Sequence, residues 1–216
     1  MPNQPTLHLN PHPCGQTMMT ALRNHATTPG EFRQLVKKLG GLLAQQATSH
    51  LPTRSIQITT GTGNRTWTHI LDERTAIVPI LRAGLGLVDP MLELLPDAHI
   101  WHIGMGRDET TLEPKLYSNS IPSQLPFTSD QGTCYVLDVM LATGGTLCAV
   151  IDLLKSRGLS RIVYVGILAA PEGVRRLQAA HPDVNIHLMA VDDCLNDRGF
   201  ILPGLGDAGD RQFPKN

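Results

Sequence analysis

The sequence predicts an α/β fold with a mainly parallel sheet flanked by helices, and two observations carry that expectation. Apolar runs at 75–80, 98–104, 133–137, 161–168 and 184–189 alternate with helix-like stretches at 85–95, 146–157 and 171–180. Strands that alternate with helices form βαβ units, whose crossovers make the strands parallel. The second observation is placement. Arg82, Asp138 and Ala170-Pro171 all fall where a strand ends, and sheets of this kind bind ligands beyond the carboxyl ends of their strands.

The N-terminal third reads differently. Residues 14–48 form two helical pieces split at "TTPGEF", with Thr28 placed to cap the second and Pro29 in its first turn. Apolar residues at 32, 35, 36, 39, 42 and 43 keep one face for the core. "RSIQITTGTGNRTWTHI" alternates around a glycine-rich centre, which is a peripheral β-hairpin signature. Residues 105–132 are polar and proline-containing, too long for an ordinary connection, and so read as a functional or disordered loop. The tail from Asp192 is rich in Gly, Pro and Asp with little periodicity. The division expected is one domain over 1–216: N-terminal helices and hairpin (1–74), a core (75–190) with a mobile loop or arm at 105–132, and a C-terminal cap (191–216).

Composition narrows the function. Eighteen basic residues against nineteen acidic ones give a formal charge of −1, against the basic footprint of a nucleic-acid binder. The best membrane-span candidate, "AIVPILRAGLGLV", is short and carries Arg82. Cysteines at 14, 134, 148 and 194 form no close-spaced pair, so a zinc knuckle or a redox CxxC is not suggested. Cys134 and Cys148 fall in elements expected in the core and read as packing residues. A soluble, reduced, cytoplasmic protein is the expectation. The nine histidines are scattered, and the adjacent pair Asp192-Asp193 reads as solvated carboxylates rather than metal ligands.

The stretch "CYVLDVMLATGGT", residues 134–146, carries the chemistry. A buried strand ends on Asp138, and Thr143-Gly144-Gly145-Thr146 leads into an apolar helix. The first N–H groups of a helix are unpaired and its dipole favours an anion; glycines let a phosphate come close, and the threonines add hydroxyl donors. The lysine of a P-loop is missing. A carboxylate beside such a cradle would repel phosphate but accept from sugar hydroxyls, so the pattern points to a phosphorylated sugar. "GLGDAG", 204–209, matches G-x-G-x-x-G, but no evident strand precedes it and seven residues follow; it reads as a loop that meets a flat ligand with its backbone. Arg82 in "VPILRAGLG" reads equally as a phosphate ligand or as the partner of a surface carboxylate. Arg107 opens the long polar segment, where a lid would sit.

Taken in order, "VPILRAGLG", "GMGRDETTLEP", "LDVMLATGGT", "AAPEGV" and "PGLGDAGDR" closely resemble the uracil phosphoribosyltransferase family, over roughly residues 12–213. The resemblance implies a type I phosphoribosyltransferase core with a C-terminal hood and a projecting β-arm. It also implies transfer of the phosphoribosyl group of 5-phosphoribosyl diphosphate (PRPP) to uracil, giving UMP and diphosphate. By position, Asp138, Val139, Met140, Leu141, Ala142, Thr143, Gly144, Gly145 and Thr146 would hold the 5-phosphate and ribose. Arg82 and Arg107 would face the diphosphate, and Asp207 would also touch PRPP; Arg107, Asp138 and Asp207 are the implied catalytic residues. Ile201, Gly206, Asp207 and Ala208 would present backbone groups to uracil. Mg²⁺ would arrive with the diphosphate, with no dedicated protein metal site. A homodimer or larger homo-oligomer is implied, with no nucleic-acid or membrane partner, and a GTP effector is left open. Three positions depart from the family's usual pattern: Val139 stands where proline is common, Ser120 where lysine is, and Leu116 where proline often is. The alternatives are a PRPP-binding regulator without turnover, or a paralogue that takes another base.

Overall fold

The computed structural model describes residues 7–107 and 114–214. The chain runs through β1 (Leu7–Leu9), α1 (Pro13–Arg23), α2 (Pro29–Thr48), the hairpin β2 (Thr53–Thr59) and β3 (Arg65–Leu71), then β4 (Arg74–Leu81). A 3₁₀ turn, Ala83–Leu87, leads into α3 (Val88–Leu94), β5 (His99–Ile100), β6 (Ile103–Arg107) and β7 (Pro114–Asn119). Next come β8 (Gly132–Leu137), β9 (Met140–Leu141), α4 (Gly145–Ser156), β10 (Ile162–Val165), β11 (Leu168–Ala169), α5 (Pro171–Ala180) and β12 (Asn185–Leu188). The chain closes with β13 (Ala190–Val191), the pair β14 (Cys194–Leu195) and β15 (Ile201–Leu202), and α6 (Ala208–Gln212).

The central sheet has the order β1-β12-β10-β8-β4-β6-β7, with β5 also on β4. Its pairings are parallel except β6 with β7. Both faces are covered, which is why the strands read as continuous apolar runs. Ile77, Tyr135, Leu137 and Val163 point to one side, under Phe32, Val36, Leu39 and Met91 of α2 and α3. Ala76, Val78, Val136 and Tyr164 alternate to the other, under Ile151 and Leu154 of α4 and Leu177 of α5. Thr28 caps α2 as expected: its hydroxyl accepts the Glu31 N–H while Glu31 reaches back to the Thr28 N–H, with Pro29 in the first turn.

Three neighbouring strands break at one level. β8 and β9, β10 and β11, and β12 and β13 are interrupted at Asp138-Val139, Gly166-Ile167 and Met189. At the first step the Val139 carbonyl accepts from both Ile167 and Leu168, each at 3.0 Å; at the next the Ile167 carbonyl accepts from Met189 and Ala190, at 3.0 and 3.2 Å. No residue is inserted on either side: Leu137 pairs with Val165 and Met140 with Leu168, so the strands break together and keep their register.

The β2–β3 hairpin stands away from the core, with Ile58 and Ile70 on one face and Trp67, 70% exposed, on the other. Within the long polar stretch, Arg107 ends β6 and residues 108–113 lie outside the described part, as does the Arg107 side chain. The rest holds β7 and two core residues, Ile121 and Phe127. Ser120 closes the β6 edge, accepting the His102 N–H on its hydroxyl at 2.7 Å. Among the described residues, no helix is long and apolar enough to cross a membrane.

Candidate functional site

The site forms where β4, β6, β8 and β11 end. β8 delivers Asp138, and the chain crosses β9 and residues 142–144 before entering α4. Gly144 is the N-cap, at φ 77°, with no side chain capping the helix. That left-handed angle suits glycine, and a Cβ there would also meet the Gly173 carbonyl at 3.0 Å. Asp138, Met140, Ala142, Thr143, Gly144 and Thr146 line a hollow of about 80 Å³, room for one compact anion. The helix N-terminus supplies donors there, as the glycine-threonine pattern predicts.

The loop is held from below. Tyr164 donates its hydroxyl to the Asp138 carbonyl at 3.2 Å. Gly166 makes room for that contact, since a Cβ would stand 2.4 Å from the Tyr164 hydroxyl. From the side, the first turn of α5 presses Gly173 against the loop, where a Cβ would come 2.3 Å from the Ala142 carbonyl. Burial pushes the Asp138 carboxyl up to about 7; N–H groups of Val139 and Met140 oppose the rise and the nearby charge of Asp207 adds to it. The folded chain therefore keeps a proton that the unfolded chain releases near the ordinary carboxylate range. The stability this contributes is full below about pH 4 and is lost as pH rises through about 7.

Arg82 and Asp207 meet at the start of α6. Asp207 caps that short helix, accepting the Asp210 N–H at 2.8 Å. The Cβ position of Gly209 lies 3.2 Å from Asp207 Oδ1 and 3.7 Å from Arg82 Nη2. Of the two readings of Arg82, the structure displays the carboxylate partner: Asp210 at 2.5 Å, with the Phe213 carbonyl at 3.0 Å. The turn that carries Arg82 sits on the end of β8, because Gly84 approaches the Leu137 carbonyl so closely that a Cβ would lie 2.3 Å away. Thus Arg82, Asp138 and Asp207 gather in one place.

The C-terminal segment is fastened by pairs distant in sequence. Arg23 forks onto Asp192 at 2.6 and 2.7 Å, and donates to the Gly204 carbonyl at 2.8 Å while the Gly204 N–H donates to Asp192 at 2.8 Å. The solvated-carboxylate expectation for Asp192 is thereby corrected: its side chain is 6% exposed and committed to Arg23. Asp192→Ala is expected to cost about 2 kcal/mol, less than a fully buried pair because Arg23 keeps some water. A lower urea midpoint at unchanged slope would register it; an unchanged midpoint would deny the pair that role.

Arg211 donates to the Leu22, Leu205 and Asn24 carbonyls and lies 4.4 Å from the Phe32 ring. These contacts place Gly206, Asp207 and Ala208 beside a cavity of about 460 Å³ that Arg23, Gly206 and Asp207 help line. Ile201 sits in the β14–β15 hairpin with its side chain in the core. Tyr164, Gly166, Gly173 and Asp210 are site residues that the motifs did not single out. Gly173 and Asp210 lay inside quoted motifs, but the close approach of one to Ala142 and the pairing of the other with Arg82 could not be read there.

A sheet-end carboxylate with a glycine-opened helix beside it, and Asp207 of the C-terminal segment near enough for its charge to act on that carboxylate, make up the site. The model of the uracil phosphoribosyltransferase family matches residues 9–214. The chain belongs to that family. Curated uracil phosphoribosyltransferases of Roseiflexus sp. strain RS-1 and Streptococcus equi subsp. zooepidemicus are 50% and 45% identical to it, over 95% and 94% of this chain and 96% and 95% of theirs. The solved structure of the AQ2163 protein from Aquifex aeolicus superposes with a TM-score of 0.88 at 32% identity, covering 96% of this chain and 98% of that one.

Proposed function

We propose that this protein transfers the 5-phosphoribosyl group from PRPP to uracil, giving UMP and diphosphate. The observation that carries the reading is the convergence of Asp138, the Gly144–Thr146 helix start and Asp207, within a chain of this family. Main-chain donors at 143–146 grip the 5-phosphate, and Asp138 accepts from the ribose hydroxyls. Asp207, Arg82 and Arg107 serve PRPP around C1′ and the diphosphate. Backbone groups of Ile201, Gly206, Asp207 and Ala208 read the uracil edge, where a mispaired base leaves site groups without partners.

In the reaction a bond forms between N1 of uracil and C1′, and the bond from C1′ to the diphosphate oxygen breaks. Positive character grows on the ribose as negative charge leaves, so alignment and charge neutralisation do the work. Among the described residues no cluster of three or more His, Cys, Asp or Glu could hold a metal ion. Mg²⁺ would be held mainly through the oxygens of the substrate diphosphate and by water, with Asp138 left to the ribose hydroxyls. There it would neutralise the charge of the leaving diphosphate. Incubation with PRPP, Mg²⁺ and each base in turn tests the reading: UMP from uracil alone is expected, and a nucleotide from a different base would overturn it.

The Asp138 carboxyl also sets a pH signature. Sugar hydroxyls bond best to the ionised form, so PRPP affinity should rise as pH rises through about 7. Binding near pH 6.5 should release a proton that Asp138→Asn does not. Calorimetric titrations in buffers of different ionisation enthalpy read this directly; equal release from both proteins would contradict it.

The exposed hairpin fits a homo-oligomer. A two-stranded hairpin is marginal alone, and Ile58 and Ile70 share a face 40% and 37% exposed. Ile58→Lys combined with Ile70→Lys is expected to lower the mass measured by light scattering to that of one chain. An unchanged multimer would place the contact elsewhere.

A further inference from the structure

Glu172 opens α5 in the motif "AAPEGV", to which the reaction assigns no role. It precedes Gly173, the residue pressed against the Ala142 carbonyl, so its carboxylate rides on the turn that braces the phosphate loop. Oε1 accepts the N–H of Leu195, in β14, at 3.3 Å. Across the hairpin Leu195 stands opposite Ile201. The flanking bond, Asn196 N–H to the Phe200 carbonyl at 2.8 Å, makes Leu195 and Ile201 a non-hydrogen-bonded pair. Residues in such a pair turn their N–H and C=O away from the partner strand. Leu195 therefore turns them toward Glu172, and Ile201 toward the opposite edge. Glu172 Oε2 is buried and accepts no hydrogen bond from any described residue. Packing alone gives no reason for that oxygen, since an unpaired buried polar group is unfavourable and leucine would avoid it.

We propose that Glu172 is a positioning residue for base recognition: it clamps the hood hairpin at Leu195, which sets the Ile201 main chain against the sugar-phosphate loop. The clamp ties base registration to phosphate registration through one turn of helix. This inference rests on the reading of uracil as substrate.

Steady-state kinetics of Glu172→Ala, Glu172→Gln and Glu172→Asp test it. Alanine removes the acceptor, and aspartate keeps the charge but withdraws it from Leu195. Each should raise the uracil KM about tenfold, the scale of one lost hydrogen bond, with the PRPP KM nearly unchanged. Glutamine keeps an acceptor oxygen and should restore the uracil KM. The proposal falls if Asp and Ala leave the uracil KM at the wild-type value, if both KM values move together, or if Gln is as impaired as Ala. Should the Ala variant not fold, Asp against Gln carries the same contrast. Wild-type protein that makes no UMP from uracil would instead remove the functional reading, and this inference with it; normal wild-type turnover with unaffected variants removes the inference alone.

Discussion

Asp138→Ala is expected to lower kcat/KM for PRPP by roughly 10³-fold while the protein stays folded. Hydrogen bonds to a charged acceptor contribute about 1.5–3 kcal/mol each, and a ribose offers two hydroxyls to one carboxylate. Ground-state binding and the loosened transition state both use those bonds, so PRPP affinity should fall along with turnover. Stability should move the other way in the isosteric Asp138→Asn. Burial already disfavours the ionised carboxyl, so above pH 7 the amide relieves a cost that the wild type carries. A loss of PRPP binding with an equal or higher Tm is the signature. Unchanged PRPP affinity by calorimetry would remove Asp138 from the ribose site.

Gly173→Ala should have the second largest effect, although residue 173 bonds to no substrate in this account. A Cβ there would lie 2.3 Å from the Ala142 carbonyl and 2.8 Å from the Leu141 carbonyl. Both atoms are backbone, so no side chain can swing aside; α5 or the loop must move by several tenths of an ångström. Overpacking of this kind costs about 1–3 kcal/mol, and the loop is the element with fewer core contacts. PRPP binding is expected to weaken at least tenfold, since misplacing positioned groups by a fraction of an ångström is expensive in catalysis. Uracil-dependent product release should change little. Stopped-flow or equilibrium PRPP binding measures it, and wild-type affinity would show that the loop tolerates the methyl group.

Much of this arrangement is local in sequence and could be read there. The β8–loop–α4 unit announces itself because an apolar run, one carboxylate and a glycine-threonine cluster occupy thirteen consecutive residues, 134–146. The α2 cap at Thr28 and the β2–β3 hairpin were legible for the same reason: each signal lies within a few residues of its consequence. Arg82 was half-legible. Its place after β4 could be read, but its partner Asp210 is 128 residues away.

What could not be read depends on contacts between distant segments. Arg23 and Asp192 are 169 residues apart, and neither stretch marks the other. The shared break in β8, β10 and β12 shows only when the three strands lie side by side: the apolar run 161–168 passes through Gly166-Ile167 without a mark, and the runs 133–137 and 184–189 stop short of β9 and β13. The β14–β15 pair and α6 are too short to give a period; Arg23 and Arg211 bind the Gly204 and Leu205 carbonyls of the connection between β15 and α6, and Arg33 binds the Gln212 carbonyl that ends α6. The structure of β7 was hidden for a related reason: "PKLYSN" carries mixed polarity at a sheet edge, where one side faces water.

The central claim is that one nucleotide spans both halves of the site, with its phosphate on the start of α4 and its base on the C-terminal hood. A crystal structure with UMP tests that most directly. Phosphate oxygens are expected within hydrogen-bond reach of the main chain at 143–146, ribose hydroxyls on Asp138, and the uracil edge against Ile201 and Gly206–Ala208. UMP bound in another cavity, or with its phosphate on the hood and its base over α4, would contradict it.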